Sequence, residues 1–551
     1  MLLTRRALGR LAKMSGLSIV TAASAAEGAT SSSAAPATPA LLQGAVELGS
    51  LPGLVTGALA DQPGATAIRI VNGRILQAGL DAAAGAGKFV EESNGLRIEY
   101  SASRAQEARN VGLQIPYDLR GFLGSGPAYK GGSRLIQYAS NHPVITLGDV
   151  GSGDKLSEGC TYRGFRVGYG IGQQGQDQAS TILIGRGFAC RYEDLFEDSY
   201  MAGTLPCQGM TGLHFYTANG QFTFSNILKN IKIHRAQRNL LRTGAVGTGN
   251  VWENVYLGGG TFGSRVPLSG AAVHFANNWA SQAAGAISQL NIEWVEANQF
   301  LFLEAVRSGS FDSLRFEGCK LIGQSPSLIH AAGSNVSIHA LASIDNWVDA
   351  AAKAPSLISA NLDSMIRVDG LEAKWSGASY NPEAVIGTHT SLVKADQGHH
   401  NIEVTNATFE GSSDQFELDA SLGADVFTLP TRIGRYRYRS GQSQVVGGLV
   451  SLVDQDHTSY GAHLDVTIRY SGKLTAKRTV TISPSCAPNG FGANLPRQEG
   501  DVIRIVRDDS AAGLFPLAVQ DHAGVQIGQL DTPGTELVLA WRGGRAVKGA
   551  T

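Results

Sequence analysis

Short runs of alternating apolar and polar residues recur through the middle of this chain, each closed by Gly, Asn, Ser or Asp. They include FSNILKNIKIHRA from Phe224, WENVYLGGG from Trp252, ISQLNIEWVEA from Ile287, FDSLRFEGCKL from Phe311, SNVSIHALAS from Ser334, SMIRVDGLEA from Ser364 and HNIEVTNATFEG from His400. Successive starts lie roughly 22 to 36 residues apart, which suits the coils of a solenoid joined by loops of varying length. Alternate strand residues share a face, so aligning the runs puts Ile231, Val255, Leu290 and Leu314 in one inward column. A second inward column holds Ile233, Leu257, Ile292 and Phe316. Lys232, Tyr256, Asn291 and Arg315 then point outward, followed by His234, Gly258, Glu293 and Glu317, and together they form an exposed polar ridge.

Slow repetition without tight Asn-Gly hairpin signals, and turns rich in residues that tolerate left-handed backbone, argue for a parallel solenoid over a sandwich. A propeller would want a more even period of about 40 residues. Gly numbers 69, nearly double ordinary usage, and charged residues are only 17% of the 551-residue chain. Lys plus Arg (45) nearly equals Asp plus Glu (46), which argues against a nucleic-acid partner.

The expected organisation has five parts. Residues 1–26 read as an export signal: TRRALGR precedes the apolar GLSIVTAASAA, and Ala23-Ser24-Ala25 offers a cleavage site. Arg5 and Arg6 give the signal a twin-arginine character, implying a periplasmic or extracellular product. Its removal takes away Arg5, Arg6, Arg10 and Lys13 and leaves a mildly acidic chain. Residues 27–60 are a Ser/Ala/Pro linker, and 61–130 an N-terminal cap with a short amphipathic helix over Arg74 to Gly87. Residues 131–411 are the solenoid. Residues 412–551, with cleanly alternating runs such as HLDVTIRYSGKLTAKRTVTIS and GDVIRIVRDD, read as an antiparallel, sandwich-like β domain. No later stretch has the roughly 18 apolar residues of a membrane span. The five Cys are scattered; one disulfide between Cys190 and Cys207, or buried free thiols, fits them.

LQAGLDAAAGAG, LRGFLGSGP, RLIQYASNHPVITLGD and CTYRGFRVGYG together resemble the opening of a pectate-lyase-like, right-handed parallel β-helix, shared by bacterial polysaccharide lyases and phage tailspike depolymerases. The usual DFGAKGDG opening of that family is absent. The segment from Leu474 to Trp541 is similar to a small C-terminal domain of tailspike-like proteins, which implies assembly of a homotrimer or sugar contact. The resemblance also brings in calcium, used by many pectate-type lyases, although no compact Asp cluster specifies a site and no metal or cofactor is expected from the residues.

A β-helix offers long grooves over an outer sheet, a shape suited to an acidic polysaccharide. In β-elimination, cations neutralise a carboxylate, a base removes the neighbouring proton and an acid protonates the leaving oxygen. His234 is the candidate base, Tyr256 the candidate base or acid and Lys232 a neutralising cation; Arg235, Arg238, Glu293 and Arg315 are candidate substrate contacts. Hydrolysis would need two spaced carboxylates. Glu193, Asp194, Glu197, Asp198, Glu253, Glu293, Glu296 and Glu304 supply many, without the polygalacturonase-like pattern. A third expectation is a non-catalytic polysaccharide-binding or assembly protein on the same scaffold. The Trp residues at 252, 279, 294, 347 and 375 are candidate sugar platforms or core aromatics, and adjacent His399 and His400 make poor joint ligands.

Overall fold

The computed structural model describes residues 44–59, 63–106, 109–126, 132–151, 155–170, 179–197, 209–216, 223–244, 246–259, 265–276, 282–349, 351–352, 355–361, 364–374, 391–395, 401–405, 407–410, 432–433, 436–440, 443–446, 449–459, 466–484 and 499–549. The export signal, Cys207, Trp279, Trp375, His399 and His400 therefore lie outside the described residues.

The repeated runs stack as a parallel β-helix. Sheet 1 contains Thr161–Tyr169, Arg191–Glu197, Ile227–Ile233 and Val251–Gly258, each hydrogen-bonded in parallel to the next. Beyond Gly258 each coil gives this sheet two shorter strands, first Gln282–Ile287 and Leu290–Glu293, then Val306–Phe311 and Leu314–Glu317. Sheet 2 is a ten-stranded parallel ladder from Leu113–Ile115 to Ser391–Ala395, and Val266–Pro267, Val295–Ala297, Lys320–Leu321 and Trp347–Val348 form a short third ladder.

The register is the one read from the runs. Ile231 pairs with Val255, Val255 with Leu290 and Leu290 with Leu314; Ile233, Leu257, Ile292 and Phe316 form the adjacent column. Every one of these side chains is at most 2% exposed. Opposite them, Leu213, Leu241, Val273, Leu301 and Ile329 on sheet 2 complete the core. Each such burial contributes about 1.5–3 kcal/mol. Trp252 belongs to this core, 1% exposed between Phe215 and Phe275, which removes it from the candidate sugar platforms.

A repeated left-handed residue bends the long strands of sheet 1. Gly164, Asp194, Asn230 and Asn254 occupy equivalent positions with φ of 82°, 53°, 53° and 53°. Short polar side chains tolerate this backbone because they bond locally. Here Asn230 Nδ2 donates to Asp194 Oδ1 at 3.0 Å, and Asn254 Nδ2 to Asn230 Oδ1 at 2.8 Å.

The cap differs from expectation in extent. Its helix spans Ala65–Gly85 and begins well before Arg74. The first turns present Arg69, Asn72 and Gly73 inward, so apolar periodicity fades there. A Cβ at Gly73 would overlap the Ser101 carbonyl. Arg69 stacks 3.5 Å from the Tyr138 ring centre and reaches Glu99 at 2.7 Å; Arg97 reaches the other Glu99 oxygen at 2.7 Å. Asn72 donates to the Val55 and Glu99 carbonyls, both at 2.8 Å. The expected linker ends before residue 60: Val46–Glu47 pairs with Val90–Glu92, and buried Leu48 and Leu59 anchor the segment because it carries apolar residues that the preceding Ser/Ala/Pro stretch lacks.

The boundary at 412 is not a break in the ladder, since Arg432–Ile433 and Tyr436–Ser440 pair in parallel with strands of the last coil. Nor is the C-terminal part purely antiparallel. Leu449–Leu452, Val466–Tyr470 and Val502–Arg507 run parallel, as do His457–Ser459, Arg478–Ile482 and Leu517–Asp521. Thr535–Arg542, Arg545–Lys548 and Gln526–Leu530 close these ladders antiparallel. Alternation marks a half-buried strand and does not encode its neighbour's direction. Residues from both ladders share one core, including Ile468, Val480, Ile503, Val519 and Trp541. Arg507 is fully buried beside it, donating to the carbonyls of Ala511, Gly513, Leu530 and Asp531.

Cys160, Cys190 and Cys319 are buried free thiols, and the Cys190 thiol, one coil after Cys160, lowers the Cys160 pKa by hydrogen bonding. Among the described residues no helix is long and apolar enough to cross a membrane.

Burial works to raise the Glu99 carboxyl, but the hydrogen bonds from Arg69 and Arg97 outweigh it and hold its pKa below the ordinary value. A depressed folded pKa stabilises above the unfolded value and loses that contribution as pH falls. Thermal melts of the wild type should therefore drop on acidification below about pH 4.5, and Glu99→Gln should flatten that dependence. At pH 7 the substitution should cost about 3–5 kcal/mol, because it leaves Arg69 buried without its charge partner.

Candidate functional site

The outward ridge sits where the alignment expects it. Lys232 pairs with Tyr256, Tyr256 with Asn291 and Asn291 with Arg315, while Gly258, Glu293 and Glu317 form the column beside them. Lys232, Tyr256 and Glu293 are half-buried and Arg315 is exposed. Tyr256 Oη donates to Glu293 Oε2 at 2.9 Å. Lys232 Nζ lies 5.1 Å from the Tyr256 ring centre and 5.5 Å from that of Phe196, within cation–π range of both. Arg315 is ion-paired with Glu317 on its own strand.

His234 and Arg235 leave the end of their strand in a turn fixed from inside. Glu197, 1% exposed, accepts their backbone N–H groups at 3.2 and 3.1 Å. The His234 ring stands 6.1 Å from that of Tyr256. Gly259 (φ 134°) makes room for it, since a Cβ there would overlap His234 Nδ1. The structure thus brings His234, Lys232, Tyr256 and Glu293 together, with Arg315 at the next coil.

Arg238 belongs elsewhere. It precedes Asn239–Thr243 of sheet 2, and its charge acts on His274 of that sheet. Chain proximity to Arg235 made it look like a ridge residue; the turn between the sheets carries it to another face. Lys229 is also set apart, beyond the Asn230 bend, ion-paired with Glu253 at 3.0 Å. Asp194 is occupied in the bend ladder, and Trp347 is buried beneath Arg265, which lies 3.2 Å from its ring centre.

The ridge is longer than the runs after Phe224 suggest. Through successive register pairs, Arg97 meets Arg134, Arg134 meets Arg166, Arg166 meets Phe196 and Phe196 meets Lys232. From Arg97 to Arg315 the column therefore presents Arg, Arg, Arg, Phe, Lys, Tyr, Asn and Arg over about 34 Å, at the roughly 4.8 Å spacing of neighbouring strands. The signal was present in RLIQYA and YRGFRVG, where Arg134 precedes inward Leu135 and Arg166 sits between inward Phe165 and Val167.

The electrostatics separate the two oxygens of the Tyr256–Glu293 pair. Burial pushes the Tyr256 phenol well above its ordinary value, and the neighbouring Glu293 charge adds to this. Burial also raises the Glu293 carboxyl, and Glu317 adds to the rise, while the Tyr256 hydrogen bond, Arg315 and Lys232 oppose it. At neutral pH Tyr256 is a protonated donor. Among the described residues no group of three or more His, Cys, Asp or Glu could hold a metal ion.

Comparison with known protein families, with curated proteins and with solved structures finds no match.

Tyr256→Phe deletes the hydrogen bond that holds the Glu293 carboxyl down, so the Glu293 pKa should move further up. A carboxyl-carbon NMR titration of both forms reads this directly; an unchanged or lower value in the variant would refute the coupling.

Proposed function

We propose that this chain is an exported carbohydrate-active enzyme that binds an acidic polysaccharide along the sheet 1 column and cleaves it by β-elimination. The observation that carries the reading is the in-register column itself: cations and aromatic rings repeating at one strand spacing suit a linear polyanion. Aromatic rings add contact area for sugar faces, and the cations compensate carboxylates.

The chemistry falls to the cluster at the centre. Lys232, Arg235 and Arg315 neutralise the carboxylate beside the acidic carbon. His234 takes that proton. Tyr256, kept protonated and bonded to Glu293, donates to the leaving glycosidic oxygen, which argues for its acid role over its base role. Export follows from the N-terminal TRRALGR and the apolar stretch after it.

Hydrolysis on the same face has one observation in its favour: Glu293 and Glu317 are register partners, and the Glu317 charge helps lift the Glu293 carboxyl. Products separate the two. Elimination makes an unsaturated uronate that absorbs in the ultraviolet; hydrolysis makes only new reducing ends.

Mature protein incubated with a panel of plant and bacterial polyuronates should release the absorbing product from at least one. Lys232→Ala and Arg315→Ala should each reduce the rate about 10- to 100-fold, the loss of one charge-assisted contact of about 1.5–3 kcal/mol. Binding without product would favour the non-catalytic role, and unchanged binding and cleavage in both variants would remove the ridge from the function.

A further inference from the structure

The outer face of sheet 2 carries its own set of titratable and aromatic groups. Arg242 pairs in register with His274, His274 with Phe302 and Phe302 with His330, so the four side chains stack on consecutive coils. The His274 and Phe302 rings are 4.5 Å apart and nearly parallel, at 12°, and Phe302 lies 5.1 Å from the His330 ring. His274 Nε2 is 3.1 Å from Glu304 Oε2, with side-chain exposures of 17% and 36%. Arg242 and Arg238 are the cations whose fields reach this imidazole.

These contacts define an oriented base. An Nε2–H donated to Glu304 fixes the tautomer and leaves the lone pair on Nδ1. Ring stacking on Phe302 fixes the plane. Burial lowers the His274 pKa, the Glu304 contact opposes this, and Arg242 and Arg238 lower it further, so the imidazole is neutral at neutral pH. Arg242 holds the register position next to a neutral imidazole and the Arg238 charge acts on it as well, which suits removal of a proton next to a carboxylate. Sheet 1 supplies none of these residues.

We propose that sheet 2 holds a second site for a uronate sugar, in which Arg242 and Arg238 bind the carboxylate and His274, oriented by Glu304, accepts the adjacent proton. The carbon–hydrogen pair becomes the new carbon–carbon double bond, the bond to the leaving sugar oxygen breaks, and that oxygen takes a proton from water. The site rests on the acidic-sugar reading above for its ligand class, and on different residues for everything else. His274 is its catalytic residue and Glu304 a positioning residue.

The test uses the mature full chain with ring-labelled histidine and trimers of galacturonate and mannuronate as probes. The His274 imidazole signals, assigned by their loss in His274→Gln, should shift on addition of at least one trimer. They should shift equally in the Lys232→Ala/Arg315→Ala double variant, and Arg238→Ala and Arg242→Ala should each weaken the response about tenfold or more. Measured in the Lys232→Ala/Arg315→Ala background, where sheet 1 turnover is suppressed, His274→Gln should lower the remaining release of unsaturated product at least 100-fold with little change in KM, and Glu304→Gln should move the acidic limb of that pH–rate profile to lower pH, since Glu304 raises the His274 pKa. A shift that survives in the double variant, even if sheet 1 proves inert, supports this site alone. Signals that stay still with both trimers, or move only when the sheet 1 cations are intact, overturn it, as does undiminished residual turnover when His274→Gln is added to the double variant.

Discussion

Backbone hydrogen bonding between consecutive parallel strands is the constraint on which everything else in this chain depends. It fixes which residue lies above which, coil after coil, and so turns residues distant in sequence into columns. The ladder needs each coil to bend at the same place. Asp194, Asn230 and Asn254 meet that need twice, by adopting left-handed backbone and by bonding to one another along the stack. A one-residue slip would turn Ile231 and Ile233 outward and bury Lys232, a cost no other contact in the coil could offset.

The same geometry sorts charge by face. NILKNIKIHRAQRNLLRTG looks like one basic segment in sequence. Folded, it is divided four ways: Lys229 into a solvated ion pair beyond the bend, Lys232 onto the sheet 1 column, His234 and Arg235 into the turn held by Glu197, and Arg238 and Arg242 onto sheet 2. Local charge density therefore says little about any single binding surface here. Column membership decides it.

That distinction also marks what could be read from the sequence. The inward columns and the Lys232–Tyr256–Asn291–Arg315 ridge were legible because one period-two pattern recurs in each run and the turn residues frame it. The early helix turns were not, because Arg69 and Asn72 point inward in a polar network whose partners, Glu99 and Val55, lie elsewhere in sequence. Strand direction after residue 449 was hidden because alternation is the same for either neighbour. The His274–Glu304 pair was beyond reach for a related reason: it joins adjacent coils across 30 residues of chain, and neither position carries a local motif.

Glu197 shows how interior and surface are joined. A carboxylate that is 1% exposed needs donors, and it takes two from the backbone of His234 and Arg235 on the following coil. The turn between sheets is thereby tied to the coil beneath it, and the His234 ring is delivered beside Tyr256 with Gly259 clearing its path. The acid-rich YEDLFED segment thus contributes through placement: Asp194 sets the bend, Glu197 sets the turn, and the residues they hold face the solvent. Such buried polar anchors give a surface side chain a defined position.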